Sequence, residues 1–334
     1  MTTPDLWLDA IILGTRDITP TVREFQLRYP KSVHTAPGAH VDVQAMVNGQ
    51  PCTRSYSVVR ADAKDTLTIA VKQVPDSRGG SRYMWTLAPG ARIRASAPKS
   101  NFEPVYDASP CLLIAGGIGI TPLLSLAHAL VARRAPVQML YAARDRAELA
   151  YVDDLRSMLG DALSTFVSSE GEHLDVAHEL RALPADAQVY LCGPMGLMDA
   201  VRASWSSQGR DRSRLRYETF GSSGRLAPEA FTVHIPRLAL EVHVPATQTM
   251  LDALTDAGVA MVSNCRRGEC GLCVVDVLDA HGEIDHRDVF FTPEQHAQRS
   301  KVCTCVSRLA GGRITIDPPW RGDPDLTQTD VLAR

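Results

Sequence analysis

The sequence predicts a multidomain chain: an antiparallel β-barrel, then a doubly wound α/β domain, then a small α+β domain. Three observations lead there. At 334 residues the chain has room for two or three domains of ordinary size. Near Ser109 the pattern changes from β-runs punctuated by Pro and Gly to short apolar runs alternating with helical segments. Five of the eight cysteines crowd into the last 70 residues and set the tail apart. Apolar residues at 45% and charged residues at 22% exclude a disordered or fibrous chain. A formal net charge of −3 leaves no basic footprint for nucleic acid or an anionic membrane surface.

In the first hundred residues, 21–28, 40–46 and 66–71 are rich in β-branched and apolar residues, and helical periodicity is absent before 82–87. Ala88-Pro89-Gly90-Ala91 is a turn signal and 92–95 a further strand, so the strands are expected to close into a barrel. From 109 onward, strands at 111–115, 137–142, 164–168 and 188–192 alternate with helices at 122–133, 151–159, 177–183 and 196–205. Strands of five or six residues separated by helices predict a parallel, doubly wound sheet. Residues 111–132 lack any Lys, Arg, Asp or Glu over 22 positions, a membrane-span length. Gly116, Gly117, Gly119 and Pro122 break that run, which reads as strand, glycine turn and helix instead. Gly221-Ser222-Ser223-Gly224 reads as a linker, followed by a hairpin at 231–235 and 240–244 and a helix at 249–257. The domains are therefore expected at 1–104, 105–224 and 225–334. Asp5 and Asp9 stand where a leader would be basic and then apolar, so the expected location is the cytoplasm.

The strongest chemical signal is Cys265-Arg266-Arg267-Gly268-Glu269-Cys270-Gly271-Leu272-Cys273. This C-x4-C-x2-C spacing, with a distant fourth cysteine, is that of plant-type ferredoxins, where four thiolates hold a 2Fe-2S cluster. Structural zinc sites pair short C-x2-C units, and the first spacing here is too long. Gly268 and Gly271 let backbone amides approach the sulfurs. Cys303 and Cys305 both qualify as the fourth ligand by spacing alone.

The barrel segment contains Arg54-Ser55-Tyr56-Ser57, then Val71-Lys72, then Gly79-Gly80-Ser81. A flavin needs an aromatic face, a donor near N5, and a cation with amides for its phosphate. Tyr56, Ser57 and Arg54 can supply these, with Gly79, Gly80 and Ser81 completing the phosphate cradle. In the α/β segment, Gly116-Gly117-Ile118-Gly119-Ile120-Thr121-Pro122 fits a pyrophosphate at a strand-to-helix turn. Cys192-Gly193-Pro194-Met195 ends a later strand of the same sheet, the end at which such sheets bind ligands. Arg144 and Asp145 follow another strand, where an acidic side chain accepts from a free 2′-hydroxyl, so NADH is the expected coenzyme.

In this order the parts resemble the phthalate dioxygenase reductase type of ferredoxin–NADP reductase relatives, vanillate demethylase reductases among them. The likeness rests on RSYS, GGIGITP, CGPMGLM, Tyr217-Glu218-Thr219-Phe220, CRRGECGLC and CVSR, and it spans nearly the whole chain. It implies a flavin barrel, a nicotinamide domain and a C-terminal ferredoxin domain of β-grasp type. It implies FMN rather than FAD, Phe220 near the flavin, and Cys305 as fourth ligand because Cys305-Val306-Ser307-Arg308 matches the end of such ferredoxin domains. The function implied is that of a reductase, passing electrons from NADH through flavin and cluster to a Rieske oxygenase. Cys192 would sit by the nicotinamide, Ser57 near flavin N5, and Thr121 against the nicotinamide ring. A monomer docking transiently on its partner is expected. A self-sufficient flavin reductase and a redox sensor are the alternatives. Residues 231–334 hold ten Lys/Arg against fourteen Asp/Glu, so the tail is −4 and the remainder +1. An acidic face around the cluster would steer a basic partner. His286-Arg287-Asp288 reads as a solvated loop of that domain, and Cys52 and Cys111 as inert packing.

Overall fold

In the computed structural model, alternating inward residues close the first strands into a barrel. The described residues are 7–47, 49–74, 79–220, 224 and 226–319. They divide into two compact units, 1–218 and 219–334, as numbered in the chain. The linker read at 221–224 falls, apart from Gly224, outside the described residues.

The barrel strands are β1 (Trp7–Thr19), β2 (Val22–Arg28), β3 (His40–Val47), β4 (Gln50–Ala63), β5 (Thr66–Lys72) and β6 (Arg92–Ser96). They run antiparallel in the order β1-β2-β5-β4-β3-β6, with a short helix α1 (Gly80–Trp85) before β6. Period-two alternation points Phe25, Leu27, Val41, Val43, Ile69 and Val71 into one core. Burying each such side chain stabilises the domain by roughly 1.5–3 kcal/mol before entropy is counted.

The same unit continues with β7 (Cys111–Gly116), α2 (Ile120–Ala132), β8 (Val137–Ala143), α3 (Val152–Leu159), β9 (Leu163–Val167), α4 (Val176–Ala182), β10 (Gln188–Cys192), α5 (Met195–Ser207) and β11 (Leu215–Glu218). All five strands are parallel, in the order β11-β10-β7-β8-β9. Helices cover both faces, so β7 and β10 are buried at every position, and their sequences are unbroken apolar runs. The apolar stretch from Cys111 to Ala132 is thus a buried strand and helix, and no helix of the described residues is long and apolar enough to cross a membrane.

Barrel and sheet are joined by polar ties. Glu148 accepts from Thr21 Oγ1 (2.8 Å) and pairs with Lys72 Nζ (2.6 Å), and the Gly38 amide donates to Ser125 Oγ (2.9 Å). Burial opposes ionisation of Glu148, yet the bonds from Lys72 and Thr21 hold its carboxyl below the usual range.

The second unit contains β12 (Phe231–Ile235), β13 (Leu240–Val244), α6 (Met250–Asp256), β14 (Val274–Asp285), α7 (Pro293–Gln298), β15 (Lys301–Cys303) and β16 (Arg308–Asp317). The hairpin β12–β13 matches the expected bounds. β16 returns parallel to β12 and antiparallel to β14, giving the mixed order β13-β12-β16-β14-β15. α6 starts at Thr249, whose side chain accepts from the Asp252 amide (3.0 Å), and Met250, Ala253 and Leu254 join the core of that sheet.

Candidate functional site

The parallel sheet builds the first part of the site. From β7 the chain winds outward through β8 and β9, then returns to place β10 and β11 on the other side. β7 and β10 therefore flank the switch point, and their carboxyl ends are in register, Cys192 opposite Ala115. Two turns leave these ends, Gly116–Pro122 and Cys192–Met195, and they pack directly on each other. A Cβ on Gly119 would stand 2.2 Å from the Cys192 carbonyl oxygen, and one on Gly116 2.6 Å from Pro194 Cδ. Backbone is thus left as the wall of the crevice, as a pyrophosphate needs.

Cys192 is buried, whereas Gly193 is half-buried and Pro194 exposed. Met195 opens α5 from a buried position. Gly117, half-buried with φ 53°, supplies the left-handed turn at the mouth of the loop. Thr121 and Pro122 are buried in the first turn of α2, and the Thr121 hydroxyl donates to the Ile118 carbonyl (3.0 Å). Arg144 and Asp145 follow β8 at the same end of the sheet, both exposed, and the Asp145 side chain makes no capping bond. Its carboxylate faces solvent rather than the helix start.

The barrel builds the second part. Ser57 is buried on β4, and its Oγ has no hydrogen-bond partner among the described residues. A buried hydroxyl left without a partner costs about 1–3 kcal/mol, so it marks a place for a polar ligand atom, and a flavin ring fits that demand. Tyr56 is half-buried against the barrel core, and burial pushes its hydroxyl above its usual range. Arg54 lies across Gly80, where a Cβ would meet its side chain at 2.6 Å, and its guanidinium donates to the Thr53 carbonyl (2.8 Å). Gly79 adopts φ 87° against Val47, and Ser81 Oγ accepts from the Val74 amide (3.3 Å). Ser55 donates to Asp42, Val71 is core, and Lys72 is engaged by Glu148. Arg54 and Gly80 thus lie together, and Ser55 and Lys72 are bonded to Asp42 and Glu148.

The cysteines build the third part. The loop from Cys265 to Cys273 is coiled by left-handed residues at Arg266 (φ 52°), Gly268 (φ 75°) and Gly271 (φ 73°). Cys265 Sγ accepts from the amides of Arg267 and Glu269, both at 3.4 Å. Burial raises the Cys265 thiol above its usual range despite these amides. Hydrogen bonding from Cys303 and Cys305 brings Cys273 down to about 3, and the same bonds, with burial second, raise both of those thiols. Such sharing places the sulfurs at one another, as ligands to one metal group must be. Cys305 also lies within reach of the Gly268 amide and senses Cys265. Cys303 is ladder-paired with Val274 and senses Asp288 instead.

Two contacts of the cysteine loop escaped the sequence reading. The Thr219 hydroxyl donates to the Arg267 carbonyl, and its amide donates to Glu269 (2.8 Å). Glu269 lies inside the C-x4-C run, yet nothing in the motif indicates that it anchors Thr219. His286-Arg287-Asp288, read as solvated, is not: Asp288 is fully buried and Arg287 buried against Asp285 (2.6 Å). Three charge-bearing residues in a row resemble a surface loop until their partners are known. Phe220 is half-buried and belongs to the second unit.

Residues 10–104 match the oxidoreductase FAD-binding domain family and residues 233–310 the 2Fe-2S iron-sulfur cluster binding domain family. Residues 91–215 match the N-terminal domain family of dimethylamine monooxygenase subunit DmmA-like proteins. The chain is 30% identical over 318 residues to the vanillate O-demethylase oxidoreductase of Acinetobacter baylyi, covering 93% of this chain and 98% of that one. It superposes on the structure of phthalate dioxygenase reductase with a TM-score of 0.74 at 28% identity, covering 93% and 98%. The chain belongs to the phthalate dioxygenase reductase type of flavin and iron–sulfur oxidoreductases.

This reductase has a flavin-binding domain and a 2Fe-2S domain, and it is an electron-transfer oxidoreductase. It is also 35% identical over 317 residues to the heme-dependent oxidative N-demethylase beta subunit of Ectopseudomonas mendocina, covering 93% of this chain and 98% of that one. The reductase spans only 42% of full-length CYP116B46 from Tepidiphilus thermophilus, which it matches with a TM-score of 0.64 at 30% identity.

Proposed function

We propose that this chain is the NADH-dependent reductase component of a Rieske-type oxygenase, working as a cytoplasmic monomer that docks transiently on its partner. The observation that carries the reading is a convergent thiol set in one chain with a flavin barrel and a coenzyme crevice. Relatives named as reductase subunits of oxygenase systems, for toluene-4-sulfonate and 3-chlorobenzoate, support the partner class.

The functional segments are 1–104, 105–224 and 225–334. When bound, flavin and cluster together turn the two electrons of a hydride into single electrons for the partner. Ser57 holds the flavin near N5 with its orphan hydroxyl. Arg54 binds the phosphate beside the Gly79, Gly80 and Ser81 backbone, Tyr56 offers its ring face, and Val71 with Lys72 lines the edge. The family resemblance favours FMN. Gly116, Gly117, Gly119, Thr121 and Pro122 receive the pyrophosphate and nicotinamide, against Cys192, Gly193, Pro194 and Met195. Asp145, beside Arg144, accepts from the adenosine 2′-hydroxyl and repels a 2′-phosphate, which selects NADH. Cys265, Cys270, Cys273 and Cys305 hold the 2Fe-2S cluster, and the reach of Cys305 toward Gly268 and Cys265 supports it over Cys303. The acidic tail steers a basic patch of the oxygenase, so turnover slows as salt screens it.

A second reading is favoured by the DmmA-like match across 91–215 and the N-demethylase relative: the partner is a haem-dependent oxidative demethylase. One experiment covers both. The purified protein with flavin and cluster should reduce cytochrome c rapidly with NADH and form no product alone. Adding a Rieske oxygenase or a haem demethylase from the same source should yield product in step with NADH, and the productive partner selects the reading. Stoichiometric product without any second protein would sink both.

A further inference from the structure

Asp288 is fully buried in the second unit, and both of its carboxylate oxygens have polar partners. One carboxylate oxygen accepts from the Phe291 amide (3.0 Å) and meets His296 Nε2 at 3.0 Å. The other accepts from Ser307 Oγ (3.2 Å) and lies 3.7 Å from His286 Nδ1. Burial opposes ionisation, but these partners hold the carboxyl well below the usual carboxylate range.

The ligand atoms of His286, Asp288 and His296 lie within 4.8 Å of one another, which suggests a metal site. The ring geometry argues against one. The two imidazoles stack with centroids 4.3 Å apart and planes only 22° apart. An imidazole lone pair lies in its ring plane, and two such planes meet far beyond the roughly 2.0–2.1 Å of a metal–nitrogen bond.

Asp288 instead stands where the two cysteine-bearing segments meet. On one side a Cβ on Gly268 would lie 2.8 Å from Asp288 Cα, and the amides of Val289 and Phe290 both donate to the Gly268 carbonyl (3.0 and 3.1 Å). The Phe290 ring covers Gly271. On the other side, the Ser307 that donates to Asp288 also donates its amide to the Cys303 carbonyl (3.0 Å). The segment that begins at Asp288 thus bonds to both, its amides at 289 and 290 to the Gly268 carbonyl and its carboxylate to Ser307, beside the direct bond of the Thr304 hydroxyl to the Cys273 carbonyl (2.9 Å).

We propose that Asp288, held by Ser307, His286 and His296, is a positioning residue of the iron–sulfur centre that fixes the two cysteine segments against each other and lowers the centre's electron affinity by its charge. Groups behind the ligands commonly set both geometry and potential. The inference rests on the reading of these thiols as cluster ligands.

The test uses the full chain carrying flavin and cluster, with Asp288→Asn, Ser307→Ala and Ser307→Thr compared with wild type. Iron per chain, the electron paramagnetic resonance spectrum of the reduced cluster, its midpoint potential and the rate of iron loss to a chelator are measured. Asp288→Asn should move the cluster potential positive and leave the flavin potential where it was. Ser307→Ala should release iron several-fold faster with an altered resonance spectrum, and Ser307→Thr should restore both. Wild-type potential, spectrum and release rate in Asp288→Asn and Ser307→Ala would overturn the proposal. If Asp288→Asn holds no iron, the Ser307 pair decides by the same criteria. Wild-type protein lacking iron would fail the cluster reading itself, an outcome separable from failure of this one.

Discussion

The coenzyme crevice and the cysteine loop both depend on glycine, for different physical reasons. Gly119 has an ordinary φ of −61° and is glycine only because the Cys192 carbonyl leaves no room for a Cβ. Gly268 combines a left-handed φ of 75° with crowding from Val306 and Asp288. The first site is backbone against backbone at the ends of two buried strands, which the sheet itself holds in register. The second is a coil with no ladder of its own, so it needs outside support from Thr219, Asp288 and Phe290. A crevice inherits its geometry from the fold; a metal loop has to be tied down.

The largest effect expected is at the thiols. Cys305→Ser should abolish the visible spectrum of the cluster and its iron, and Cys303→Ser should keep both. The reverse pattern would exchange their roles.

Next come the glycines, which test the contrast directly. Gly119→Ala should push the two turns apart and lower kcat/KM for NADH by about 100-fold, the usual cost of an ångström-scale misplacement, with iron content unchanged. Gly268→Ala should do the opposite, lowering iron per chain while NADH still reduces the flavin at the wild-type rate in a rapid-mixing experiment. If either variant damages both sites equally, the two are not independent.

If Ser57 bonds the flavin as proposed, Ser57→Ala should remove about 1–1.5 kcal/mol and slow flavin reduction by about 10-fold while NADH affinity holds.

The smallest effect concerns the tie between barrel and sheet. Glu148→Gln should cost about 1 kcal/mol and lower Tm by about 2–4 °C at neutral pH. The Glu148 carboxyl lies lower in the folded protein than in the unfolded chain. Its contribution is therefore present above the unfolded value near 4.3 and is lost as pH falls through the lower folded value. The gap between variant and wild type should close in thermal melts taken below about pH 4. A gap that widens there would show that Glu148 acts otherwise.

Much of this was readable beforehand because it is local. Residues 111–115 and 188–192 are apolar runs, and a strand covered on both faces can be written in no other way. The hairpin at Phe231–Ile235 and Leu240–Val244 alternates with period two, and its bounds agree with the structure. The long strands β14 and β16 were not read, since their exposed positions and register shifts blur any period. Lys72, read beside Val71 as a flavin neighbour, shows what local spacing does not carry: its ammonium pairs with Glu148, 76 positions away.

The sequence by itself determined the short strands at 111–115, 188–192, 231–235 and 240–244, the glycine turns and the spacing of the first three thiols, because each is a relation among residues within about a dozen positions. Only the tertiary structure decided what lies across such a relation. Among the described residues it left Ser57 Oγ without a hydrogen-bond partner, brought the Gly268 amide to Cys305, and buried Asp288 between two cysteine segments. Those facts depend on packing between distant segments, and a charged string such as His286-Arg287-Asp288 has the same composition whether water or protein satisfies it.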